Sequence, residues 1–280
     1  MLLSILQFLT LLAFIFIIGQ VFVKLVRIKI SLLFTNIFIS LLFGCILVSS
    51  IFSFYKSIFQ TINIFLIPLI IILIFELKKI NFNSEQKSNF NKAILLLPFS
   101  LILFLINYYN NQIIEPNLDL FSYADDVKTL LIYGKENNLG FVTNTLNQNL
   151  SLTPYHYFEL WIAAFIANCY NVTALNAYWL FLYPLLYFVS FCGFIALIEQ
   201  QRNVKWIDFV LCFFCLFIGG IFLNYLDHIE YLSAIKYIQN NLLTDFGPVY
   251  PFIILFFILQ KHSKKAAVIP LLCITVISFS

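Results

Sequence analysis

The segment NLDLFSYADDVKTLLIYGKENN, residues 117–138, decides the fold together with LTPYHYFELWIAAFIANCYNV, residues 152–172. Both lie in the polar interruption between Asn107 and Asn171 of an otherwise apolar chain. Acidic side chains and a histidine stand here beside segments apolar enough for a bilayer, where a buried charge is costly. These residues are Asp119, Asp125, Asp126, Glu136, Glu159 and His156. We therefore expect any chemistry of this protein to take place in this interruption.

The composition predicts the class of protein. The chain is 62% hydrophobic and 10% charged, with a mean hydropathy of +0.95, whereas soluble domains average about 25% charged residues. We predict an all-α, polytopic membrane protein with about eight transmembrane helices, plus interfacial helices in a long outer loop. The net charge of +3 gives no indication of nucleic acid, so the expected partner is the lipid bilayer. The six cysteines lie in apolar runs and are interpreted as small core residues.

The apolar runs divide the chain into three regions: a membrane region 1–107, an outer loop 108–173 and a second membrane region 174–280. Each membrane region is expected to contain four spans, and a typical span needs about 20 residues. The predicted spans are residues 2–23, 30–54, 58–76, 93–109, 174–198, 206–226, 248–260 and 266–280. The last run stops at Ser280 without a polar tail, so we expect a truncated C-terminal region.

Two short helices are predicted inside the outer loop. The first runs from Leu118 to Tyr133 and ends at Gly134. Its apolar side is expected to hold Phe121, Ala124, Val127 and Leu131. Its acidic side is expected to hold Asp119, Ser122, Asp126 and Thr129, turned to water at the membrane surface. The second, Tyr157 to Tyr170, follows a Thr153-Pro154 cap and is short for a span, so we interpret it as re-entrant or interfacial.

The basic residues predict the orientation of the chain. If the short helix does not cross the membrane, twelve of the sixteen Lys and Arg residues face one side; if it crosses, they divide evenly. The positive-inside rule favours the first arrangement. It places the N-terminus and the long loop outside, and the membrane we expect is the plasma (inner) membrane. A second polar loop, Asp227 to Gly247, then lies on the same outer face.

The region from Asp119 to about Glu199 resembles the start of membrane glycosyltransferases of the GT-C superfamily. Those families include protein mannosyltransferase-like, aminoarabinose transferase-like and oligosaccharyltransferase-like members. Their acidic loop motif is similar to Asp119, Tyr123, Ala124, Leu130 and Gly134. Their proline-led aromatic segment is similar to Pro154, Tyr155, His156, Trp161 and Ala164. The resemblance implies transfer of a sugar from a polyprenyl-phosphate donor at the outer membrane face.

This hypothesis assigns roles to particular residues. A carboxylate must deprotonate the acceptor, and a cation must balance the departing phosphate. The candidate catalytic residues are Asp119, His156 and Glu159. The candidate substrate-binding residues are Tyr123, Lys128, Tyr155 and Trp161. The candidate ligands for Mg²⁺ or Mn²⁺ are Asp126, Asp227, His228 and Glu230.

Several of these residues also have a purely structural interpretation. Asp119 is equally suited to cap a helix, and Asp125 and Asp126 to form a solvated face. His156 and Glu159, three residues apart, are suited to an interfacial pair. The alternative function is a non-catalytic membrane subunit: a transporter or flippase part, or a polymerase component of surface-polysaccharide assembly.

Overall fold

The computed structural model of the chain describes residues 1–26, 30–58, 92–113, 118–134, 157–217 and 250–262. All regular secondary structure in these residues is helical, which confirms the predicted all-α class. The helices are α1 Leu2–Leu25, α2 Leu33–Ile58, α3 Leu96–Ile113, α4 Leu118–Tyr133, α5 Tyr157–Tyr170, α6 Ala174–Glu199, α7 Trp206–Phe217 and α8 Tyr250–His262. Within α6, Ala177–Leu182 forms a π-helical turn.

Among the described helices, α1, α2 and α6 are long and apolar enough to cross a membrane, as judged by length and composition. Shorter apolar stretches lie in α3, α5, α7 and α8. These helices indicate a membrane protein, but the predicted count of about eight spans is not confirmed. The predicted span 266–280 lies outside the described residues, as does 58–76 apart from Ile58.

α1 and α2 cross at a contact that only small residues allow. A Cβ atom on Gly19 would lie 1.7 Å from the carbonyl oxygen of Ser40, and one on Gly44 would lie 2.0 Å from that of Ile15. The residue order reverses between the two contacts, so the helices are antiparallel. The buried Gln20 donates a hydrogen bond of 2.6 Å to the Ser40 hydroxyl at the same crossing. Small residues and polar side chains are the usual means of joining helices within a bilayer.

α6 is the central helix of the bundle and contacts α2, α3, α5, α7 and α8. It is antiparallel to α3, because Phe99 meets Phe191 at 5.1 Å and Phe104 meets Phe181 at 5.9 Å between ring centroids. The end of the bundle that holds the last turn of α6 is called the Glu199 end. The opposite end, which holds α4, α5 and the start of α6, is called the Glu159 end.

At the Glu199 end a carboxylate from α6 caps the N-terminus of α2. Glu199, 8% exposed, accepts hydrogen bonds from the Phe34 amide at 3.1 Å and the Thr35 amide at 2.8 Å. The Thr35 hydroxyl donates a third bond to Glu199 at 3.0 Å. The first amides of a helix have no partner within the helix and carry a partial positive charge. Glu199 therefore satisfies two of them and fixes α6 to α2.

The turn from α6 to α7 is fixed by an ion pair. Arg202 donates two hydrogen bonds to the fully buried Asp208, at 2.8 and 2.5 Å, and the Lys205 amide adds a third at 2.7 Å. The hydrogen bond with Asp208 raises the pKa of the exposed Arg202 guanidinium above its usual range. Lys92, at the start of the α3 segment, donates a bond of 2.9 Å to the Val204 carbonyl. Basic residues from distant parts of the sequence thus meet at the Glu199 end.

Candidate functional site

α4 has the predicted bounds, Leu118–Tyr133, and Gly134 follows it with a φ of 64°, a left-handed conformation that glycine adopts without strain. Its buried side comprises Leu120, Tyr123, Ala124, Val127 and Leu130. Ala124 and Val127 were predicted to lie on this side. The prediction was wrong for Phe121, which is 48% exposed. Tyr123 faces the protein instead, because α4 packs against α5 and the start of α6 and this contact sets its rotation.

α5 also has the predicted bounds, Tyr157–Tyr170, and its side chains from Phe158 to Ala167 are buried. Its backbone packs beside residues 174–182, the first third of α6, and against α2 and α4. Asn171, with a φ of 50°, ends the helix, and the Val172 amide donates to the Ala167 carbonyl at 3.2 Å. The Thr173 hydroxyl then caps α6 by accepting from the Asn176 amide at 3.2 Å. α5 therefore lies at one end of the bundle and does not run along the whole of α6.

Glu159 is the buried carboxylate of the Glu159 end. It is 1% exposed and accepts a hydrogen bond of 3.1 Å from the hydroxyl of Tyr178, which is equally buried. The ring of Tyr123 stacks on that of Tyr178 at 5.3 Å, and the ring of Tyr183 meets it edge-on at 5.4 Å. We call Glu159, Tyr123, Tyr178 and Tyr183 the Glu159–tyrosine cluster. It joins α4, α5 and α6.

The cluster combines groups with distinct chemical capacities. A carboxylate accepts hydrogen bonds and can act as a base toward a hydroxyl group placed beside it. The tyrosine hydroxyls donate hydrogen bonds, and their rings offer flat apolar surfaces. A carboxylate inside a membrane protein is costly and therefore usually has a function. Glu159 and Tyr123 were predicted from the sequence as site residues, whereas Tyr178 and Tyr183 were not. The sequence signal for those two tyrosines is their position shortly before Pro184 in an apolar run.

The other predicted site residues lie in different surroundings. Lys128 has an exposed side chain and pairs with Asp125 at 3.3 Å on the outer surface of α4. Asp126 is half-buried on the same helix. Trp161 is buried and meets Phe52 of α2 edge-on at 5.9 Å, so it packs between helices. Asp119 lies in the first turn of α4, and its side chain is not described.

The predicted metal site is mostly outside the described residues. Asp227, His228 and Glu230 belong to the segment 218–249, and the predicted substrate and catalytic residues Tyr155 and His156 precede α5 in a segment that is also not described. Within the described ranges, no three His, Cys, Asp or Glu side chains converge in a way that could hold a metal ion. The predicted Mg²⁺ or Mn²⁺ site therefore stays a prediction.

Comparison of the chain with models of protein families, with curated proteins and with solved structures gave no match. The resemblance of residues 119–199 to the GT-C superfamily therefore depends on the residues quoted above and stays a prediction. The geometry of the Glu159–tyrosine cluster is independent of that resemblance.

Proposed function

We propose that this chain is an integral membrane protein that transfers a sugar from a polyprenyl-phosphate donor at the outer membrane face, in the manner of a GT-C-like glycosyltransferase. The observation that carries the proposal is the burial of Glu159 beside the tyrosine hydroxyl of Tyr178. α4, which carries acidic side chains, covers the same end of the bundle. A reaction between a lipid-linked donor and a water-borne acceptor needs such a carboxylate near the membrane surface.

The proposed step is a displacement at the anomeric carbon. The acceptor hydroxyl gives its proton to a carboxylate while its oxygen forms the new glycosidic bond. The bond from the anomeric carbon to the phosphate oxygen breaks, and polyprenyl phosphate leaves with the electron pair. Glu159 and Asp119, which lie in the first turns of α5 and α4, are the candidate bases. Lys128, on the exposed side of α4, is a candidate cation for the departing phosphate.

The test compares donor binding and sugar transfer by purified full-length protein in detergent micelles, with and without Mn²⁺. The variants are Glu159→Gln on α5 and Asp119→Asn on α4. The matched control for Asp119→Asn is Asp125→Asn, which removes an exposed charge from α4. We expect wild type and the control to bind the polyprenyl-phosphate sugar and transfer it. We expect at least one of the two variants to retain binding and lose transfer. Absence of donor binding by the wild-type protein would overturn the proposal.

A second candidate is a non-catalytic subunit, such as a transporter or flippase part or a polymerase component of surface-polysaccharide assembly. The hydrogen bond from Tyr178 favours it, because a buried carboxylate that accepts a bond from a tyrosine of another helix joins α5 and α6 without needing a catalytic role. In that case Glu159→Gln lowers stability, and the wild-type protein transfers no sugar. Unchanged stability of Glu159→Gln would contradict this purely structural role.

A further inference from the structure

The π-helical turn of α6 contains a carbonyl whose usual π-helical donor is missing. In a π-helix each carbonyl accepts from the amide five residues later. The residue five positions after Trp179 is Pro184, which has no amide hydrogen. Asn107 of α3 instead donates a hydrogen bond from its side-chain amide to the Trp179 carbonyl. A side chain from another helix therefore replaces the missing backbone donor at this turn.

The π-helical turn also determines which tyrosines face each other. Residues five apart lie about 140° apart around an α-helix but close to one turn apart in a π-helix. Tyr178 and Tyr183 are five apart, and their rings meet at 5.4 Å with an interplanar angle of 71°. The buried Tyr183 hydroxyl lies near that of Tyr178 and forms no well-directed hydrogen bond within the described part of the chain. The arrangement of the cluster thus depends on the helical register.

We propose that Asn107 is a positioning residue for Glu159. By bonding to the Trp179 carbonyl it holds the π-helical turn, and this turn places Tyr178 where its hydroxyl donates to Glu159. Asn107 itself bonds to the backbone of α6, so its effect reaches the carboxylate through Tyr178. The inference deepens the proposed function, since Glu159 is a candidate base there. The geometry that supports it does not depend on the reaction.

The first test measures how fast a lipophilic carbodiimide modifies Glu159, by mass spectrometry of full-length protein in detergent micelles, together with the thermal midpoint. We expect Asn107→Ala to lower the midpoint and to raise the modification rate of Glu159 severalfold. The control is Gln20→Ala, which also removes a side-chain amide that joins two helices, at the crossing of α1 and α2. It should lower the midpoint and leave the Glu159 rate unchanged. An unchanged rate in Asn107→Ala would overturn the proposal.

Pro184→Ala tests whether the Trp179 carbonyl is the link. It supplies a backbone amide five residues after Trp179, and in the π-helical register this amide can donate to the Trp179 carbonyl in place of Asn107. In the double variant Asn107→Ala/Pro184→Ala we therefore expect recovery of both the thermal midpoint and the protection of Glu159. A double variant in which Glu159 is modified as fast as in Asn107→Ala would show that the carbonyl is not the link. Because neither readout requires a donor sugar, failure of donor binding would count against the proposed function alone.

Discussion

Replacement of Glu199 by alanine tests the connection between α6 and α2. The carboxylate accepts bonds from the Phe34 and Thr35 amides and from the Thr35 hydroxyl, at 3.1, 2.8 and 3.0 Å. Alanine removes all three and leaves two amides at the first turn of α2 without an acceptor. Water has limited access to replace it, because Glu199 is only 8% exposed.

The loss of unfolding free energy in Glu199→Ala follows from these bonds. A buried donor that loses its acceptor costs about 1–3 kcal/mol, so two amides cost roughly 4 kcal/mol together. Loss of the negative charge at the N-terminus of α2 is expected to contribute about 0.3–1 kcal/mol more. With a shift of about 2–4 °C per kcal/mol for chains of roughly this size, the thermal midpoint should fall by about 10–20 °C.

The assay is thermal unfolding in detergent micelles, followed by circular dichroism, on a graded series of variants. Thr35→Val removes the hydroxyl bond and keeps both amide bonds, so it should cost about 1 kcal/mol. Glu199→Gln keeps one acceptor oxygen and should fall between Thr35→Val and Glu199→Ala. If Glu199→Ala were no less stable than Thr35→Val, the carboxylate would not be capping α2 and the reasoning would be refuted.

Three further predictions concern packing, the α6–α7 turn and the cluster. Gly44→Ala should lower the thermal midpoint more than Gly193→Ala, since the new methyl group meets backbone at 2.0 Å in the first and side chains at 2.9 Å in the second; equal shifts would contradict this. Arg202→Lys should lower the thermal midpoint, because lysine cannot form both bonds to the buried Asp208. An unchanged midpoint would show that the two bonds from Arg202 do not stabilise the turn. Tyr178→Phe should speed carbodiimide modification of Glu159, and an unaltered rate would show that the hydroxyl does not protect it.

Local patterns in the sequence were sufficient to predict the helices beside the candidate site. The bounds of α4 and α5 were both predicted, because periodicity and the residues at helix ends act over only a few positions. The shortness of α5 also indicated that it would not extend along a whole span. The buried side of α4 was predicted less well, because Phe121 was expected on that side and is exposed. A helical wheel ranks polarity, whereas contact with α5 and α6 determines which side is buried.

The sequence by itself determined the helical class of the described residues, the apolar character of the chain, the ends of α4 and α5, and the position of Glu159 as a carboxylate in an apolar run. Only the tertiary structure decided which groups satisfy that carboxylate and the helix ends. Tyr178 bonds to Glu159 from 19 residues away, and Glu199 caps α2 from a separation of 164 and 165 residues. Asn107 reaches the Trp179 carbonyl across 72 residues. Buried polar groups must find partners wherever packing brings them, and no local pattern encodes a partner on another helix.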